Sequence, residues 1–140
     1  MPPPLSRIDL SNIDFLLVDD NQFIRRLLKE ILLGFGAVHV RESSSAEDAF
    51  DQILQRTPDL VLCDWIMYPT TGLEFLRRVR RNNGPHIPFI MITGHATSDH
   101  VAAAMGEGAD SYIVKPFKPA TLMAHLIKVI GATKNEYLLD

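Results

Sequence analysis

Phe15-Leu16-Leu17-Val18-Asp19-Asp20 is the stretch that decides the fold: a short, β-rich apolar run that stops on two acids. Three more runs end in the same way. Leu60-Val61-Leu62-Cys63 is followed by Asp64, Phe89-Ile90-Met91-Ile92 by Thr93, and Tyr112-Ile113-Val114 by Lys115. Apolar runs of this length, alternating with helical segments, imply a parallel sheet covered on both faces. Ligands of such open sheets bind beyond the carboxyl ends of the strands. The reading therefore gathers three carboxylates, a hydroxyl and an ammonium at one edge, a set suited to a divalent cation and a phosphoryl group.

Working outward, residues 1–12 form an N-terminal extension, and Pro2-Pro3-Pro4 predicts a stiff, extended lead-in. Strand one is predicted near Phe15–Asp19 and helix one from about Asn21 to Leu33, with Ile24, Leu27, Leu28, Ile31 and Leu32 on one face. Gly34 and Gly36 end that helix. Strand two is predicted at Ala37–Arg41. Ser45 can cap helix two, whose inward face carries Ala46, Ala49, Phe50, Ile53 and Leu54. Gly72 opens helix three, which should bury Leu73, Leu76 and Val79 and stop at Asn82-Asn83-Gly84-Pro85. Strand four is Phe89–Thr93. Ser98 or Asp99 should cap helix four, which runs towards Gly106. Strand five is Ser111–Val114, and helix five starts near Pro119, burying Leu122, Leu126 and Val129 or Ile130. Residues 132–140 read as a tail. The expectation is one domain of five β/α units, an α/β doubly wound parallel sheet, over residues 13–131.

Composition supports this. The chain has 140 residues, of which 46% are hydrophobic, enough for one globular core. A formal net charge of -3 has the wrong sign for a nucleic-acid binder. Cys63 is the only cysteine, so an internal disulfide is excluded. The start lacks the apolar core of a signal peptide, and no stretch has the length of a membrane span. A soluble cytoplasmic protein is expected.

The acids carry the chemistry. One Asp after a strand would most simply cap the next helix. Two in succession repel: unit charges about 4 Å apart cost roughly 4 kcal/mol at an effective dielectric of about 20. A third carboxylate from Asp64 adds to this, and a hard cation such as Mg²⁺, with its preference for oxygen ligands, relieves it. The same acids disfavour a flavin or dinucleotide phosphate, which uses glycines and backbone N–H groups. Asp64 can act as a nucleophile and form an aspartyl-phosphate. Thr93 and Lys115, each unremarkable alone, would together bind the oxygens of a phosphoryl group on Asp64. The Lys115-Pro116 bond could be cis. No Walker loop, nucleophile elbow or zinc-ligand spacing is present. The histidines (His39, His86, His95, His100 and His125) are scattered. Arg77, Arg78, Arg80 and Arg81 read as a solvated helix end, with an acidic docking partner as the lesser reading.

In this order, Val18-Asp19-Asp20-Asn21, Asp64-Trp65, Gly72-Leu73-Glu74, Ile92-Thr93-Gly94 and Lys115-Pro116-Phe117 resemble the response-regulator receiver domain, in particular its stand-alone chemotaxis-type members. The resemblance implies a flavodoxin-like (βα)5 fold with strand order 2-1-3-4-5. It implies that Asp64 takes a phosphoryl group from a sensor histidine kinase or a histidine phosphotransfer protein. It further implies Mg²⁺ at Asp19, Asp20, Asp64 and the backbone carbonyl of Ile66. Thr93 and Lys115 would then contact the phosphoryl group, and Tyr112 would switch inward with Thr93. The output would be a changed face of helix four, strand five and helix five, offered to an unidentified downstream protein or to a second copy. On this reading the protein is not a turnover enzyme. It catalyses only its own phosphorylation and dephosphorylation, and it contacts neither nucleic acid nor membrane.

Two features depart from the family pattern. Tyr68 stands where proline is usual, with Pro69 one residue late, and Ile66 and His95 occupy the two positions that tune phosphoryl loss. An apolar Ile66 could shield the acyl phosphate from water. Rival readings are a pseudo-receiver that binds partners without phosphorylation, a flavodoxin-like cofactor carrier, and a metal-dependent phosphohydrolase. The last usually needs a second nearby acid, which Ile66 does not supply.

Overall fold

The computed structural model describes residues 9–82, 84–94 and 97–133. Asn83, His95 and the two chain ends therefore lie outside the described residues, and with them the reading of His95, most of the lead-in and most of the tail. The order of elements is β1 (Asp14–Val18), α1 (Gln22–Gly34), β2 (His39–Ser43), α2 (Ala46–Gln55), β3 (Leu60–Cys63), α3 (Gly72–Arg81), β4 (Phe89–Thr93), α4 (Ser98–Gly106), β5 (Ser111–Val114) and α5 (Pro119–Thr133). All strand pairs are parallel, in the order β2-β1-β3-β4-β5. This is the doubly wound, flavodoxin-like sheet.

The apolar runs are continuous because both faces of the sheet are covered. Successive side chains alternate between faces. Phe15, Leu17, Leu62, Ile90 and Ile113 meet Leu28 and Leu32 of α1 and Leu122 and Leu126 of α5. Leu16, Val18, Val61, Cys63 and Met91 meet Ala49 and Ile53 of α2, Phe75 and Leu76 of α3 and Ala104 of α4. Among the described residues no helix is long and apolar enough to cross a membrane.

Several local expectations are corrected. Strand two lies two residues later than Ala37–Arg41, because Ala37 is still tied to α1 through its N–H on the Leu32 carbonyl (3.0 Å). Gly36 makes that turn at φ +103°, a backbone state that favours glycine. Helix four is capped by Thr97, whose hydroxyl accepts the His100 N–H, and not by Ser98 or Asp99. Leu27 and Leu54, expected inside, are exposed, whereas Phe75 is fully buried and Leu73 only half so. The last part of the lead-in is structural: Leu10 is buried in the core, and its carbonyl accepts the Ile13 N–H. Arg80 is not part of a solvated helix end. Its guanidinium reaches the carboxylate of Asp110 (3.1 Å) and the carbonyls of Gly108 and Ile87, tying α3 to both ends of the segment that carries β4 and α4.

Candidate functional site at the strand ends

Each candidate side chain is placed by the strand it follows. The backbone N–H groups of Asp19, Asp64 and Lys115 donate to the Ser43, Val18 and Thr93 carbonyls, so the ladder extends one step past β1, β3 and β5. Asp19 is thereby held at the edge of the core, 2% exposed. Capping of α1 falls to Asn21, whose side chain accepts the N–H groups of Phe23 and Ile24 (2.9 and 3.2 Å). The simplest alternative role for the acidic pair is thus already filled. Asp19 Oδ1 in turn accepts the Asn21 N–H at 2.9 Å.

Asp19, Asp20 and Asp64 each bring a carboxylate oxygen to within 4.8 Å of the others. Lys115 Nζ lies between two of them, 3.2 Å from Asp19 Oδ2 and 3.3 Å from Asp64 Oδ2. One ammonium among three carboxylates leaves negative charge in excess. Burial accordingly raises the pKa of Asp19, with the neighbouring Asp64 charge adding to it; the Asn21 N–H and Lys115 pull the other way. Hard oxygen donors at this spacing, one exposed and two more enclosed, suit a small divalent cation.

Asp64 is gripped from several sides. Its Oδ1 accepts the Trp65 N–H at 2.7 Å, and its carbonyl accepts the Cys63 thiol at 3.1 Å. Gly72, at the start of α3, passes so close that a Cβ there would stand 2.1 Å from the Asp64 carbonyl oxygen. Its N–H donates to the Trp65 carbonyl at 2.8 Å. This packing gives Gly72 a role beyond opening a helix. The Cys63 thiol is buried and its pKa is driven well up by desolvation, so it behaves as a small core group rather than a thiolate.

Thr93 is 1% exposed, and its Oγ1 makes no hydrogen bond among the described residues. A buried hydroxyl without a partner costs on the order of 1–3 kcal/mol. Thr93 lies at the carboxyl end of β4, between β3 and β5 in the sheet. Tyr112 on β5 is half-buried against the core, and burial, then the negative charge of Asp64, push its phenol pKa up. Lys115-Pro116 is cis, and so is Tyr68-Pro69 in the β3–α3 loop. Ile66 is about half exposed beside the site.

Sequence reasoning did not foresee three further contacts. Arg25 of α1 donates to the Asp19 carbonyl at 2.6 Å and pairs with Glu42 of β2 at 3.2 Å, bracing the end of β1. An apolar hollow of about 270 Å³, lined by Ile24, Leu27, Pro116 and Phe117, opens beside Lys115. His100 of α4 meets Trp65 edge-on, ring centroids 5.0 Å apart. Leu27, read from the sequence as inward-facing, gave no signal for the second. The others depend on loop paths that no periodicity encodes.

A family model for the response regulator receiver domain matches residues 15–127. The chain is a receiver domain of the response-regulator family. It is 36% identical over 119 residues to the phosphate regulon transcriptional regulatory protein PhoB of Pseudomonas aeruginosa, covering 84% of this chain and 52% of that one. To the chemotaxis protein CheY-3 of Vibrio cholerae it is 33% identical, covering 84% and 92%. The structure superposes on a response regulator receiver domain protein from Clostridium thermocellum with a TM-score of 0.80 at 28% identity, covering 89% and 98%. The chain thus spans about half of the first relative and nearly all of the second. As a response-regulator receiver domain, it belongs to two-component signalling.

Proposed function

We propose that this receiver is a single-domain response regulator that carries its signal as a phosphoryl group on Asp64. The observation that carries the reading is the joint arrangement of three carboxylates within 4.8 Å, Lys115 bridging two of them, and a buried Thr93 hydroxyl with no partner among the described residues. Phosphoryl transfer is catalysed largely by positioning and charge. This arrangement supplies both.

In the proposed step an Asp64 carboxylate oxygen attacks the phosphorus of a phosphohistidine on a sensor kinase or a phosphotransfer protein. An O–P bond forms and the P–N bond breaks; the electron pair stays on the imidazole nitrogen, which takes up a proton. Asp19, Asp20, Asp64 and the Ile66 carbonyl would hold Mg²⁺, which would neutralise charge spread over the phosphoryl oxygens. Lys115 exchanges its carboxylate contact for a phosphoryl oxygen, and the Thr93 hydroxyl donates to another.

The moved Thr93 and Tyr112 bias α4, β5 and α5 towards a second arrangement, which a downstream protein or a second copy reads. Residues 13–131 would form this unit, acting in the cytoplasm with 1–12 and 132–140 as extension and tail. Its turnover is confined to its own phosphorylation and dephosphorylation. Half-exposed Ile66 would slow attack by water, so Ile66→Asn should shorten the life of the phosphorylated form.

Trp65, the sole tryptophan, provides the test. Mg²⁺ should alter its fluorescence, and phosphoramidate should alter it again. Asp64→Asn should abolish the second change in a folded protein. A variant that still responds to the donor would contradict the assignment, and a parent protein silent to beryllofluoride with Mg²⁺ would favour a pseudo-receiver.

A further inference from the structure

We infer that His100 is a positioning residue that ties the Asp64 loop to the start of α4, giving phosphorylation a second route to that helix beside Thr93 and Tyr112. The inference rests on Asp64 being the phosphoacceptor. The chain of contacts is short and continuous. The Trp65 N–H is bonded to Asp64 Oδ1 at 2.7 Å, so the Trp65 backbone is tied to the carboxylate itself. The Trp65 ring stands at 88° to the His100 ring with centroids 5.0 Å apart, a T-shaped pair. His100 Nδ1 is hydrogen-bonded to Thr97 Oγ1, and the same hydroxyl accepts the His100 N–H. Thr97 is the residue that caps α4.

Phosphorylation of Asp64 turns the carboxylate into an acyl phosphate, whose carboxyl group no longer carries the full negative charge, and so changes what the Trp65 N–H is bonded to. Any shift of Trp65 is felt at once by His100, because an edge-to-face pair has a defined geometry rather than a sliding one. The helix at the far end is well suited to respond. Ala104 is its only buried residue, so little packing opposes a shift of its first turn.

The experiment uses beryllofluoride with Mg²⁺ and two separate readouts: the ¹⁹F signal of the bound adduct and the amide shifts of Ala102, Ala103 and Ala104. In the parent protein both should change. His100→Ala should keep the adduct signal but lose at least half of the α4 shift. His100→Phe, which restores a ring against Trp65 but not the Nδ1 bond to Thr97, should recover part of it and exceed the response of His100→Ala. A full α4 shift in His100→Ala overturns the inference. So does a His100→Phe response no larger than that of His100→Ala, since that marks simple damage to the helix. A parent protein that forms no adduct removes the phosphoacceptor reading, and the coupling with it; an adduct with unchanged coupling in His100→Ala removes the coupling alone.

Discussion

Helices α3 and α4 pack on the same face of the sheet and differ in length by one residue, yet they are anchored very differently. Helix α3 buries Phe75, Leu76 and Val79, opens with a reciprocal Thr71–Glu74 capping box, and is pinned near its end by Arg80 on Asp110. Helix α4 buries Ala104, has a single-residue cap at Thr97, and ends beside Gly106. Gly72 presses α3 against the Asp64 backbone, whereas α4 reaches the site through side chains such as His100. One helix packs against the acid's backbone; on the proposed function its neighbour reports on it. A receiver needs both, because a site that moves with its reporter could not hold the geometry of transfer.

The contrast can be broken by mutation. Phe75→Ala should cost about 3–5 kcal/mol in denaturant unfolding, since it empties the centre of α3 packing. A loss below 1 kcal/mol would show that α3 is not the fixed element. Arg80→Ala should cost about 2 kcal/mol by the same measurement, through two carbonyls left without their donor and an Asp110 carboxylate left to the Phe89 N–H and His86 alone. Met105→Ala on the exposed side of α4 should stay within about 0.5 kcal/mol. Amide exchange should order the pair in the same sense, with α4 exchanging through smaller openings than α3.

The site itself should be a source of instability, in contrast to the α3 anchor. Burial raises the folded pKa of Asp19, so its proton is bound more tightly in the folded state than in the unfolded chain. The corresponding stability is present in full below the unfolded carboxylate value and is lost as pH rises through the folded one. Asp19→Asn should therefore raise the melting temperature at neutral pH without Mg²⁺, by less than the Arg80 change lowers it. The gain should shrink as the pH falls into the carboxylate range. A variant less stable than the parent at neutral pH would mean that the Lys115 pairing outweighs desolvation.

How much of this was legible in the sequence follows from the same contrast. Parallel strands buried on both faces must be continuous apolar runs, so β3, β4 and β5 and the polar residues just past them stood out. The helices were harder. In α3, reading at intervals of three chose Leu73, Leu76 and Val79, while the buried ridge is Phe75, Leu76 and Val79. Helical period gives a stripe but not which of its flanks meets the sheet, and Leu27 and Leu54 lie on flanks left exposed. Strand two was misplaced because Gly36 and Ala37 still close the end of α1. The Gly72 contact and the Trp65–His100 pair depend on the path of loops, which alternation and helical period do not describe.

The most direct measurement is mass spectrometry of the protein after incubation with Mg²⁺ and phosphoramidate. One added phosphoryl group, mapped to the peptide containing Asp64 and missing in Asp64→Asn, is the predicted result. A phosphoryl group mapped elsewhere, or an unmodified Asp64 in a protein that binds Mg²⁺, would contradict the account.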